Sequence, residues 1–99
     1  MPGFVLERVD GDRLRASGQL DFSTASQALR TGIETIGRAC DQVVDLSGIT
    51  EGDSAGVAVL VEWVAVAVAA GVGLRYENVP PQMLAIARIS DLEDLLLRS

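Results

Sequence analysis

The run Asp45-Leu46-Ser47-Gly48-Ile49-Thr50-Glu51-Gly52-Asp53-Ser54-Ala55-Gly56 leads into fourteen residues, Val57 to Ala70, of which only Glu62 is polar. Hydroxyls, acids and glycines crowd the passage from a strand end to a helix start. Asp53 suits an N-cap, because its carboxylate can accept from the free N–H groups of the first turn. Gly71 suits the left-handed position that closes a helix. The sequence therefore predicts a helix from Asp53 to Gly71, between a strand at Gln42–Leu46 and another at Val72–Tyr76. Ser47-Gly48 reads as a turn, and Ile49 to Gly52 as a loop. A strand, a helix and a second strand in that order form the crossover unit of a parallel sheet.

The apolar run is too short to span a membrane. Fourteen helical residues reach about 21 Å, against about 30 Å of hydrocarbon. Glu62 also falls near the middle, where burial in lipid is costly. Placed at helical spacing, Val57, Leu60, Val61, Val64 and Val68 gather on one side and are expected to face the sheet. Ala55, Ala58, Val59, Glu62, Val66 and Ala69 form the opposite side, with Trp63 at its edge. A surface helix normally shows a polar face, so this second side needs a cover. Another helix of the same domain would supply one, and so would a partner protein.

Upstream, Phe4–Val9 and Arg13–Ser17 alternate apolar and polar residues around Asp10-Gly11-Asp12, a hairpin signal. Ser23 or Thr24 caps a helix running to about Arg38, with Ala25, Ala28 or Leu29, Ile33 and Ile36 at helical spacing. Downstream, Val79-Pro80-Pro81 opens a helix over Gln82–Ile89, and Ser90 or Asp91 caps a last one over Leu92–Leu97. The expected fold is α/β: a single domain over residues 1–99, with about four strands, mostly parallel, an N-terminal hairpin and four helices.

Composition narrows the chemistry. At 99 residues with 48% hydrophobic side chains, the chain can bury a core without a metal or disulfide framework. Its eight basic residues are all Arg, set against fourteen acids for a net charge of -6. Without His there is no His base, triad or metal ligand, and without Lys no Schiff base or P-loop. No cofactor and no metal are expected. An acidic surface with scattered Arg is a poor match for nucleic acid or anionic lipid. The single Cys40 reads as a small buried hydrophobe, and Met1-Pro2-Gly3-Phe4 lacks the basic and apolar regions of a signal peptide. A cytoplasmic protein is expected. Asp53 as cap, with Ser54 merely filling the first turn, needs no function at all.

The segments Asp45-Leu46-Ser47 and Asp53-Ser54-Ala55-Gly56-Val57-Ala58-Val59-Leu60 resemble the signature of STAS domains, the anti-sigma factor antagonists and transporter-associated modules. Ser17-Gly18-Gln19-Leu20-Asp21 and Met83-Leu84-Ala85-Ile86-Ala87-Arg88-Ile89-Ser90 extend the likeness over nearly the whole chain. Antagonists usually carry Asp-Ser-Ser-Gly, with the second serine phosphorylated by an anti-sigma kinase; here that position is Ala55. The remaining Asp53-Ser54 is similar to the arrangement in small STAS subunits of Mla-type phospholipid-trafficking ABC transporters. Gly52 departs from the family, which usually has an apolar residue there, and is expected to loosen the loop.

The resemblance implies a non-catalytic protein that binds the ATPase subunit of such a transporter, in a complex with a membrane permease. It would sit peripheral to the inner membrane without entering it, in a system that maintains outer-membrane lipid asymmetry. Ser54 becomes the key contact and Asp53 its neighbour. Ala55, Ala58, Val59 and Glu62 complete the surface, with Thr50 and Glu51 of the preceding loop. The alternative is an anti-sigma factor antagonist bound to an anti-sigma kinase, with Ser54 as the phosphorylation site.

Overall fold

Along most of the strand length, residues of one parity are buried and those of the other parity are not. Leu14, Ala16, Val44, Leu46 and Tyr76 lie in the core, while Arg15, Asp45, Arg75 and Glu77 stay at the surface or half-buried. One face of the sheet is thus covered and the other is left to solvent. The computed structural model describes residues 3–36 and 41–97. The hairpin consists of β1 (Phe4–Arg8) and β2 (Arg13–Leu20), paired antiparallel. Then come α1 (Ala25–Ile36), β3 (Gln42–Gly52), α2 (Ser54–Ala70), β4 (Leu74–Glu77), α3 (Pro81–Ile89) and α4 (Glu93–Leu97). The sheet order is β1-β2-β3-β4, with β2–β3 and β3–β4 parallel. This is the expected α/β architecture. Cys40 and the last two residues expected of the first helix, 37 and 38, lie outside the described residues.

The expected loop over Ile49–Gly52 is instead strand. β3 continues to Gly52 because β2 continues beside it to Leu20, through two shifts of register around Ser17 and Gly18. Gly18 makes this possible with φ +91, and a Cβ there would meet the Gly3 carbonyl at 2.3 Å. Gly52 does not loosen anything. A Cβ on it would meet the Met83 sulfur of α3 at 2.5 Å, so the missing side chain makes room for a buried methionine.

α2 is the central core element, and its phase differs from the expected one. Gly56, Val57, Val59, Leu60, Trp63 and Ala67 are buried. Val59, expected on the outer side, is 4% exposed, whereas Val68, expected on the sheet, is 69% exposed. Val61 and Val64 are half-buried, and Ile33 of α1, one of the residues at helical spacing, is 46% exposed. The cause is Trp63. Its indole, expected at the edge, is fully buried, and Nε1 donates to the Ala28 carbonyl of α1 at 3.2 Å. Gly32 lies against the ring, and Phe4 completes the cluster at a centroid separation of 6.1 Å. α1 packs along one side of α2, while α3 and α4 pack along the other. At the far side of the core the Tyr76 hydroxyl donates to the Leu60 carbonyl at 2.6 Å, and burial pushes its pKa up. Among the described residues no helix is long and apolar enough to cross a membrane.

On the open face of the sheet, Arg13 donates to Glu77 at 2.6 Å. Asn78, in the left-handed conformation, donates to Asp45 at 3.0 Å, and the Ser47 N–H donates to the same carboxylate. These bonds hold the Glu77 and Asp45 carboxyls below the ordinary carboxylate range.

Two outcomes are expected. In an exposed helix Gly→Ala stabilises by about 1 kcal/mol. At Gly32 the new Cβ would sit 2.0 Å from Trp63 Nε1, so Gly32→Ala should instead lose about 1–3 kcal/mol in urea titration. Each depressed carboxyl binds fewer protons in the folded chain than in the unfolded one. Stability should therefore be level down to about pH 5 and fall as pH drops below about 4. Asp45→Asn should lessen that slope; an unchanged slope would mean that Asp45 does not contribute.

Candidate functional site

Leu20 and Gly52 are paired at the ends of adjacent parallel strands, so Asp21–Thr24 and Asp53–Ser54 leave the sheet side by side. The β2–α1 turn holds itself together. Thr24, buried, donates through Oγ1 to the Gln19 carbonyl at 2.9 Å and accepts the Asp21 N–H at 3.1 Å. Asp21 accepts from both the hydroxyl and the N–H of Ser23, and the hydroxyl bond lowers its pKa. The turn is then tied to α2. Asp53 Oδ1 accepts the Gly56 N–H at 3.0 Å as N-cap, and Oδ2 accepts the Phe22 N–H at 3.1 Å. Gly56 permits the approach, since a Cβ there would stand 2.0 Å from the Leu20 carbonyl oxygen. The first turn of α3 joins this edge through Gln82, whose amide donates to the Gly52 carbonyl at 3.4 Å.

With its N–H bonded to Asp53, Phe22 is 85% exposed. It forms one wall of an open groove of about 320 Å³ between α1 and α2, lined also by Ala25, Ser26, Leu29, Ala55, Ala58, Val59 and Glu62. Beyond the α2 N-terminus lies an acidic hollow formed by Asp21, Glu51, Gly52, Asp53 and Gln82. The ion pairs Arg13–Glu77, Arg75–Glu77 and Arg88–Glu93 all lie elsewhere. Among the described residues, then, no salt bridge involves Asp21, Glu51, Asp53 or Glu62. An apolar trough beside unneutralised acids is suited to binding a protein segment and offers little to a small anion. No group of three His, Cys, Asp or Glu side chains among the described residues is placed to hold a metal ion.

The residues singled out in the sequence separate into three sets. Ser54, Ala58 and Glu62 are exposed along one line of α2, and Thr50 and Glu51 are exposed at the end of β3. Asp53 and Ala55 are half-buried, the first as cap and tether, the second in the groove floor. Val59 is core, so a charge there would test folding rather than binding. Sequence reasoning missed Phe22, Leu29 and Gln82. The signal for Phe22 was a lone aromatic amid Asp, Ser and Thr in a capping turn, where a hydrophobic side chain has no core to enter.

Residues 5–98 match the family model described as Mlab, STAS domain. No curated protein sequence matches the chain. Among solved structures, the anti-sigma factor antagonist SpoIIAA in its unphosphorylated form aligns with a TM-score of 0.72 at 18% identity, covering 95% of this chain and 85% of that one. The phosphorylated Bacillus cell fate determinant SpoIIAA gives 0.69 at 20% identity, covering 95% and 88%. The murine anion transporter Slc26a9 in its inward-facing state gives 0.60 at 16% identity, over 86% of this chain and 14% of that one. Identities this low carry the fold alone, and the fold agrees with the family match. The chain belongs to the Mlab-type STAS domain family, whose members are generally regulatory, non-catalytic binding modules.

Proposed function

We propose that this chain is a non-catalytic cytoplasmic subunit that docks on the ATPase of a phospholipid-transporting ABC transporter, in a complex with a membrane permease. The observation that carries this reading is the exposed apolar groove walled by Phe22 and lined at the start of α2 by Ala55, the residue after exposed Ser54. The Mlab-type family match supports the choice of partner. Ala55 supports it too, because the hydroxyl that antagonists present at this position is missing. The surface would comprise Phe22, Ser54, Ala55, Ala58 and Glu62, with Asp53 fixing the geometry from below and Thr50 and Glu51 at the margin. Val59 would act only by supporting the groove floor.

A docking subunit of this kind carries out no bond-breaking step. It changes the ATPase by binding one of its conformations more tightly than another, and the coupling is limited to that difference in affinity. Its location at the inner membrane would come entirely from the complex. The likeness to SpoIIAA supports a second reading, an antagonist of an anti-sigma kinase, with exposed Ser54 at the helix start as phosphate acceptor.

Co-expression of the tagged chain with the Mla-type ATPase and permease of its own host tests the proposal. The wild type should recover both. Ser54→Arg should lose at least tenfold in ATPase recovery while keeping its circular dichroism spectrum and melting temperature. Ile89→Arg, at an 89% exposed position at the far end of α3, should bind as the wild type does. Recovery of a serine kinase in place of the ATPase would replace this reading with the second one.

A further inference from the structure

Resting on the docking reading, we infer that the groove receives an amphipathic helix of the partner that carries an Arg or Lys close to its apolar anchor. The floor and walls come from Phe22, Ala25, Leu29, Ala55 and Ala58, which can seat an apolar side chain. Along the exposed line of α2, Ser54, Ala58, Ala65 and Ala69 are all small, so a second helix axis can come close. Every charged residue that lines the groove or the adjoining hollow is acidic. Glu62 lines it, and Asp21, Glu51 and Asp53 surround the adjoining hollow, with no salt bridge to any of them among the described residues.

Other occupants fit less well. A second copy would set these acids against their own images, in a chain of net charge -6. A phosphate-bearing ligand or anionic lipid surface would meet the same repulsion. A basic helix is attracted from a distance and neutralises the acids once seated. The apolar contact and the charge contact are separable, because Phe22 and Glu62 project from different elements.

The test is binding of the purified chain to the purified Mla-type ATPase at two ionic strengths. Raising salt from about 50 to about 500 mM should weaken binding at least tenfold. Glu62→Lys should weaken it at least tenfold at low salt and flatten the salt dependence. Glu7→Lys, on the open face of the sheet, should change neither. Phe22→Ser should weaken binding about equally at both salt levels, because it removes only apolar contact. All three substituted positions are exposed, and circular dichroism verifies the fold of each variant. Binding that ignores both salt and Glu62→Lys overturns the basic helix while leaving the docking reading standing. A dimer of the chain alone that Phe22→Ser dissolves also overturns it, in favour of a second copy. Failure of the wild type to bind the ATPase at either salt level removes the docking reading and this inference with it.

Discussion

One carboxylate joins the two halves of the candidate site. Asp53 caps α2 with one oxygen and holds the β2–α1 turn with the other, so the N–H groups of Gly56 and Phe22 share a single carboxylate. The arrangement depends on β2 and β3 staying paired to their last residues, which in turn depends on the bend at Gly18. A cap of this kind is worth about 1 kcal/mol in isolation. Its larger effect is positional. It brings a hydroxyl on the first turn of a helix and an aromatic ring on a neighbouring turn to one edge of the sheet.

α2 is apolar almost all round because it is enclosed on several sides. The sheet lies beneath it, α1 along one flank, and α3 with α4 along the other. What remains open is a line of small residues interrupted by Glu62, with Val68 exposed near the far end. That line is poor material for catalysis and good material for close packing against another protein. The separation of charge points the same way. Arg13 and Arg75 on the open sheet face pair with Glu77, and Arg88 on α3 with Glu93, whereas the acids near the groove have no such partner among the described residues.

The order of strands and helices was legible because each boundary carried its own chemistry: Asp10-Gly11-Asp12 at the hairpin, Asp53 and Gly71 at the two ends of α2, and the prolines before α3. The rotation of α2 was not legible. With valine and alanine at nearly every position, no polar residue fixes the phase, and a single large side chain decides it: Trp63 turns toward Ala28 and Gly32, carrying Val59 inward and Val68 outward. The extension of β3 was hidden for a different reason. Ser47, Gly48 and Thr50 look like turn residues, and only the partner strand makes them strand. Ser54, Ala58 and Glu62 were placed correctly on the surface of α2, but Phe22 belongs to a different element. It reaches the groove through a tertiary hydrogen bond that no local pattern encodes.

The placement of Trp63 has an optical consequence. It is the sole tryptophan of the chain, fully enclosed, with its indole N–H bonded to a helix carbonyl and a phenyl ring nearby. Its emission belongs to a dry, apolar setting and moves to the red when water reaches the ring. A partner seated on the groove would touch Phe22 and the alanines of α2 and leave the indole covered by α1. Intrinsic fluorescence of this protein therefore reports on the integrity of its interior and stays silent while its surface is engaged.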